Sequence, residues 1–236
     1  MSNTLLKPEK SRKRDNMKVL RIALLAVCVL YLAAFVYGLS KKKTYTNVTA
    51  GDWNDLYVAE LGDRFVERWA NSCLEMLDPA PIVIRVKATG PMEYLGMSGR
   101  QRVSVLDVYK GNLSEGEEFY VTTDYWVLES YEDSYALARG FVNVMDTESE
   151  YLVFLSDEKV PSKSKEVVYR IYDEDMFITS IFSFEEHENA VAALTDPYST
   201  YVKYGDVANN EVFCVTEEGV GLFNRTKKDI ISRFAK

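Results

Sequence analysis

The chain has 236 residues, 47% of them hydrophobic, with 16 Tyr, 11 Phe and a formal net charge of −8. That is enough for one sizeable folded domain plus accessory segments. The charge is uneven: residues 1–40 hold seven Lys/Arg against two Asp/Glu, which leaves 21 basic and 34 acidic residues for the rest. An acidic globule behind a basic tail speaks against nucleic acid as the partner of the main part, because phosphate binding needs clustered Lys/Arg. The acidity itself reads first as solubility.

Residues 22–39, IALLAVCVLYLAAFVYGL, carry no charge. Eighteen residues at ~1.5 Å each give about 27 Å, close to the hydrocarbon thickness of a bilayer. Ten of them are Leu, Ile, Val or Phe, which favours insertion by roughly 3–6 kcal/mol. Tyr31 stands mid-span and Tyr37 near an end, where an amphipathic ring belongs. Lys7, Lys10, Arg12, Lys13, Arg14, Lys18 and Arg21 precede the span; Lys41, Lys42 and Lys43 follow it. This excess predicts a cytoplasmic tail over residues 1–21, a transmembrane signal-anchor over 22–39 and everything beyond outside the cytoplasm, tethered to the cell membrane. Cleavage of the segment as a signal peptide, with Gly38 and Ser40 near the site, is the alternative. A lipoprotein reading through Cys28 fits less well, since Cys28 lies mid-span behind Val27.

After a polar linker (residues 40–51), residues 53–77 read as helix. Trp53, Tyr57, Leu61, Phe65, Trp69, Cys73 and Leu77 recur every four residues, and Gly62 is a place to split it. Asp78, Pro79 and Pro81 end it. Residues 82–89 (IVIRVKAT) then read as a β-strand. In RQRVSVLDVYKGN the apolar face switches between Val105 and Leu106, which predicts a bulge or a bend that buries both. A small closed barrel asks this of its long strand. Gly111 and Gly116 carry turn chemistry, and residues 117–123 (EEFYVTT) return as the partner strand.

Residues 125–140 read as a surface excursion. Further strands are expected at 141–145, 151–155, 167–172 and 177–182. Ser183-Phe-Glu-Glu186 is a capping-box pattern that predicts a helix over 184–195. Thr216-Glu-Glu-Gly219 between 212–215 and 220–223 reads as a hairpin, and Thr226 as the cap of a last helix over 226–234.

The run IVIRVKAT…RVSVLDVYKGNLSEGEEFYVTT…YLVFL, over residues 82–155, resembles a domain recurring in exported and membrane-anchored proteins of Gram-positive bacteria. That domain is similar to the OB-type barrel of the netrin-like and tissue-metalloproteinase-inhibitor folds. The resemblance implies fold and export, since its motif consists of turns and core strands. The Cys-x-Cys with which such inhibitors chelate a protease zinc does not occur in this chain. The fold class expected is therefore α+β: one transmembrane helix, then an OB-like β-barrel domain over residues 52–236 with accessory helices.

Few residues carry obvious chemistry. His187 is the one histidine, so a site with two or three histidines within one chain is excluded. Its neighbours Glu185, Glu186 and Glu188 read as a solvated helix start. The acidic groups Asp173-Glu174-Asp175 and Asp146/Glu148/Glu150 lack Ca²⁺-loop spacing and read as solvated turns. There is no Gly-rich phosphate loop. Hence no catalytic residue, metal ligand or cofactor is assigned. Cys73 and Cys214 are open to two readings, a disulfide in an oxidising exterior or two buried free thiols. Tyr125, Trp126, Tyr198, Tyr201 and Tyr204 are the candidate contact surface, because aromatic residues concentrate at interfaces.

The function expected is that of a non-enzymatic extracytoplasmic binding module for a protein or cell-envelope component. A barrel-type inhibitor or modulator of a surface protease is one alternative. A hydrolase with a carboxylate-only site is another, and it requires two carboxylates in one cleft.

Overall fold

The structure is a computed structural model and describes residues 9–44, 53–160, 166–173, 176–192 and 200–236. The chain divides into two units, residues 1–46 and 47–236.

The first unit carries one helix, α1 (Glu9–Thr44). Its stretch Met17–Leu39, 23 residues, is long and apolar enough to cross a membrane. The predicted bounds lie inside it. The helix runs on into its flanks because Lys, Arg and Glu are good helix formers and continue the hydrogen-bond ladder.

The second unit is α+β and starts differently from the prediction. Residues 53–77 are not one helix: a 3-10 turn (Trp53–Asp55) and a short strand, β1 (Tyr57–Ala59), precede α2 (Asp63–Leu77). Gly62, extended at φ −71° and ψ 148°, is the cap that stops α2 from running further back. The four-residue recurrence misleads here. Trp53 and Leu61 are buried from backbone outside α2, whereas Phe65, inside that helix, is 45% exposed and Val66 turns inward instead.

Next come β2 (Ile82–Ala88), β3 (Glu93–Leu95), β4 (Ser98–Lys110) and β5 (Glu118–Tyr131). β6 (Ser134–Leu137), β7 (Glu150–Lys159), β8 (Val168–Ile171), β9 (Ile181–Ser183) and β10 (Tyr201–Lys203) complete the strands. They form one mixed sheet. Within it, β2 pairs with β4, β4 with β5, β5 with β8, β8 with β7, and β7 again with β2, a closed circuit. Only the β5–β8 pairing in the circuit is parallel. The far half of β5 leaves it to pair with β6, and β1 and β10 extend the sheet from there.

The bulge expected in β4 exists, and there are two. Val86 faces Val105 and Arg85 faces Asp107, so Leu106 is an extra residue; Ile84 faces Val108 and Val83 faces Lys110, so Tyr109 is another. The expected burial of both neighbours does not hold: Val105 is 1% exposed and Leu106 36%. The extra residue of a bulge drops out of the ladder, and here it points outward. Gly111 and Gly116 both take positive φ, at 109° and 79°.

Four other expectations are corrected. The 125–140 excursion is mostly hairpin, because β5 runs on to Tyr131 and returns as β6. At 141–145 there is only an isolated bridge, Val142 to Val212. Residues 184–192 are not helical, and residues 193–195 of that predicted helix lie outside the described residues. Ser183 Oγ accepts the amide of Glu185, two residues on, in place of a helix cap. The hairpin at 212–223 is instead the start of α3 (Glu217–Phe234), with Thr216 Oγ1 accepting the amide of Gly219 at 3.1 Å. Thr-Glu-Glu at that point is helix-start chemistry, a cap followed by carboxylates at the positive end of the dipole.

α2 and α3 pack against each other. Trp69 of α2 lies with its ring centroid 5.6 Å from Phe223 of α3 and 6.3 Å from Phe182 of β9. The core also buries one amide inside the strands. Gln101 Nε2 donates to Gly90 O and Met145 O, and its Oε1 accepts from Met145 N. A fully satisfied amide costs little to bury.

Candidate functional site

β5 and β8 run parallel over Tyr120–Thr122 and Val168–Arg170, so the residues that follow the paired stretch emerge side by side: Thr123, Asp124 and Tyr125 beside Ile171, Tyr172 and Asp173. Two hollows meet at Tyr125. One, of about 620 Å³, is lined by Asp124, Tyr125, Arg139, Asp157, Arg170 and Asp173 among others. The other, of about 700 Å³, is lined by Arg68, Trp69, Ser72, Met76, Met176 and Phe177 with Tyr125. Tyr125 is fixed as the partition, since its hydroxyl donates to Met176 O at 2.9 Å and lies 3.3 Å from Asp173 O.

Gly140 makes this arrangement possible. Its φ is +79°, and a Cβ there would stand 2.6 Å from the Cβ of Tyr125. Only glycine accepts both the conformation and the approach. The next residue, Phe141, also has positive φ (49°), an uncommon strain for a bulky side chain.

Asp173 was expected on a solvated turn; it is 7% exposed. Its Oδ2 accepts the hydroxyl of Thr123 at 2.5 Å. Burial pushes its carboxyl up to about 7; the Thr123 hydrogen bond and Arg170 oppose this, and Asp124 adds to it. Arg170 Nη1 pairs with Asp124 Oδ2 at 2.7 Å. Arg139 Nε lies 3.2 Å from Glu129 Oε1. Arg68 sits over the ring of Phe177, 5.4 Å from its centroid. Glu174 and Asp175 lie outside the described residues.

The sequence-predicted contact residues do not form one surface. Tyr125 lines both hollows, but Trp126, its neighbour on β5, points the other way and is 1% exposed. Alternation along a strand separates the pair. Tyr201 stacks on Tyr131 with centroids 4.3 Å apart. Tyr204 donates its hydroxyl to Asn143 Oδ1 at 3.1 Å and packs 5.0 Å from Trp53. Neither lines either of these two hollows, and Tyr198 lies outside the described residues.

The other candidates resolve into structure. Cys73 and Cys214 are both free and buried, the second of the two readings, and burial pushes their thiols up to about 11 and about 12. Of the acidic residues at 146–150, Glu148 pairs with Lys87 and Glu150 with Arg85. No group of three metal-ligating side chains occurs among the described residues.

His187 is not at a helix start. Its Nδ1 lies 3.2 Å from Asn209 O and its Nε2 3.2 Å from Ser183 Oγ. A carbonyl only accepts, so Nδ1 carries the proton, and in the neutral ring Nε2 accepts from the Ser183 hydroxyl. Ser183 is fully buried, so this pair ties a coil segment to the sheet and presents no nucleophile. Beneath it, Lys227 Nζ is bound to Glu211 Oε2 and Glu185 O, and Glu211 Oε1 accepts the Ser183 amide.

Sequence reading missed Asp124, Arg139, Asp157 and Arg170 as site residues, and placed Asp173 on a turn. No local pattern marks them: the parallel β5–β8 pairing sets Asp124 beside Arg170 and Asp173, while Asp157 comes from β7 and Arg139 from the segment after β6. No protein-family model matches the chain, and no curated protein matches it at a significant level.

Proposed function

We propose that the chain is a membrane-tethered binding module. An OB-like barrel would be held outside the cytoplasm by the N-terminal span, and it would contact a protein or another component of the cell envelope without catalysing a reaction. The closed circuit of β2, β4, β5, β8 and β7 supports the barrel reading and the resemblance to exported OB-type domains. The excess of basic residues before the span supports the orientation.

The observation that carries the function is the cleft at Tyr125. Two adjoining hollows of about 620 and 700 Å³ share Tyr125, the first lined by five charged residues and the second by Arg68 and Ser72 beside apolar side chains. Concave sites with mixed apolar and placed polar groups are where ligands bind.

Two measurements test it. Protease added to intact cells should digest the chain beyond about residue 44 and spare the basic tail; a protected C-terminal part overturns the orientation. A photo-crosslinking residue at Ser72, inside the cleft, should capture an envelope component, whereas one at the exposed turn residue Asn112 should not. Equal capture at both positions overturns the site.

A second reading has one observation in its favour. Asp124, Asp157 and Asp173 line the same hollow, and Asp173 is pushed up to about 7 while Asp124 is ion-paired. Carboxylates in unlike environments are the acid and base of carboxylate hydrolases. That reading requires turnover of an envelope polymer that Asp173→Asn abolishes.

A further inference from the structure

The turn between β3 and β4 carries apolar side chains that the fold leaves uncovered. Leu95 is 58% exposed and Met97 38%. Residues 94–99, YLGMSG, hold no charge. Gly96, at φ 71°, takes the first position of the two-residue turn between Leu95 and Ser98, as a type II′ hairpin asks. Apart from its chain neighbours, nothing lies within 4 Å of where its Cβ would stand, so the turn projects clear of the domain. Its base is held firmly. Leu128 N donates to Met97 O at 2.9 Å. Glu93 and Arg100 face each other across the two strands and pair at 2.9 Å, with Glu166 also on Arg100.

The same turn lies beside the point where the chain enters the domain. The ring of Trp53 packs 6.1 Å from that of Tyr94, the residue before Leu95. Eight residues, 45–52, join α1 to Trp53. At ~3.6 Å each they reach at most about 29 Å, less than the roughly 40 Å across a domain of this size. With α1 in a bilayer, so short a tether keeps the Trp53 side of the domain, and the turn with it, at high effective concentration near the lipid surface.

Resting on the membrane-tethered reading, we propose that the Leu95-Gly96-Met97 turn is a second, reversible membrane contact, its two apolar side chains dipping into the interfacial layer of a zwitterionic phospholipid surface.

Two side chains are far too small a patch for a stable protein–protein interface, which takes roughly 800 Å² from each partner. A lipid surface has no such threshold, because interfacial binding grows with whatever apolar area is buried, and the tether supplies the rest. The class of lipid follows from charge. The turn itself is uncharged, and beyond residue 40 the chain has 34 acidic against 21 basic residues, a balance that an anionic surface repels.

The full chain in phosphatidylcholine nanodiscs, one chain to a disc, tests this by NMR with a spin-labelled phosphatidylcholine as the probe. The methyl signals of Leu95 and Met97 should lose most of their intensity. Those of Leu106, also exposed but further along β4, should not. The double substitution Leu95→Ser/Met97→Ser, at two exposed positions, should leave the thermal midpoint unchanged and restore the amide signal of Gly96. Adding phosphatidylglycerol to the disc should reduce the losses. Equal losses at Leu106, a Gly96 signal unmoved by the double substitution, or losses that grow with phosphatidylglycerol overturns the proposal. So does a perturbation of the turn that appears only with two chains to a disc and without the spin label, which marks a contact between copies.

The parent reading fails separately. A mature chain shown by mass spectrometry to begin after residue 40 removes the tether in cells whatever the disc shows. An intact chain in cells, with no signal loss at the turn in the disc, removes the lipid contact alone.

Discussion

Lys227 Nζ lies 2.5 Å from Glu211 Oε2, and the two side chains are only 5% and 3% exposed. Few ion pairs are so completely shut from water, and each partner is also tied to backbone: Lys227 to Glu185 O, Glu211 to the Ser183 amide. Burial alone pushes the Glu211 carboxyl up, and Lys227 opposes that. Removing one partner leaves a buried charge without a counter-ion. Lys227→Met should therefore destabilise the domain by about 3–5 kcal/mol, and the double variant Lys227→Met/Glu211→Leu by clearly less. Urea unfolding of both variants checks this; equal losses would mean that packing, and not the charge, dominates.

The β4 bulge separates two adjacent apolar residues. Val105 is 1% exposed and faces Val86, while Leu106 is 36% exposed and faces no residue of β2. Val105→Ala should cost about 1–3 kcal/mol, through lost transfer energy and a residual cavity. Leu106→Ala should cost less, about 1 kcal/mol, because over a third of that residue already meets water and an outward-facing truncation leaves no closed cavity. Thermal denaturation of the two variants side by side decides it, and comparable losses would contradict the outward bulge.

Asp173 makes stability depend on pH with a definite sign. Its folded-state carboxyl is raised to about 7, above its unfolded value near ~3.9. Between those values the native state binds more protons than the unfolded state, so stability falls as pH rises and levels off above about 7. Glu60, buried and also raised to about 7, adds to the same slope. Asp173→Asn removes one ionisation. It should flatten the fall between about pH 4 and 7 and leave the variant more stable than the parent at pH 8, by up to roughly 2–4 kcal/mol. Chemical denaturation across that range is the measurement, and an unchanged slope would count against the burial of Asp173.

Gly140 should be among the least replaceable residues near the cleft. With φ at +79° and the Tyr125 Cβ 2.6 Å from any added methyl, Gly140→Ala meets both backbone strain and a clash. A loss of about 2 kcal/mol or more is expected. The Tyr125 ring should also shift, which NMR shifts of Met176 and Asp173 would register, since the Tyr125 hydroxyl donates to Met176 O and lies 3.3 Å from Asp173 O. By contrast, Gly116→Ala, with positive φ but open space around it, should cost about 1 kcal/mol.

What the sequence alone determined is what short-range rules govern. Eighteen uncharged residues demand a membrane-length helix whatever follows them. β-Branched runs such as IVIRVKAT and YLVFL become strands, and a face switch at Val105–Leu106 becomes a bulge, because side-chain alternation is a local property of the backbone. Tertiary structure decided everything that depends on which segment lies beside which. The Trp53–Leu61 half of the four-residue stripe became turn and strand because β6 and β10 offered β1 partners on both edges. Ser183-Phe-Glu-Glu stayed out of a helix, with the buried Glu211 and Lys227 holding its backbone instead. Thr216 capped a helix where a hairpin was expected, with Asp63 of α2 accepting its hydroxyl. The cleft was the least legible feature of all. Asp124 and Asp173 are 49 positions apart, and only the parallel pairing of β5 with β8 gives them one site.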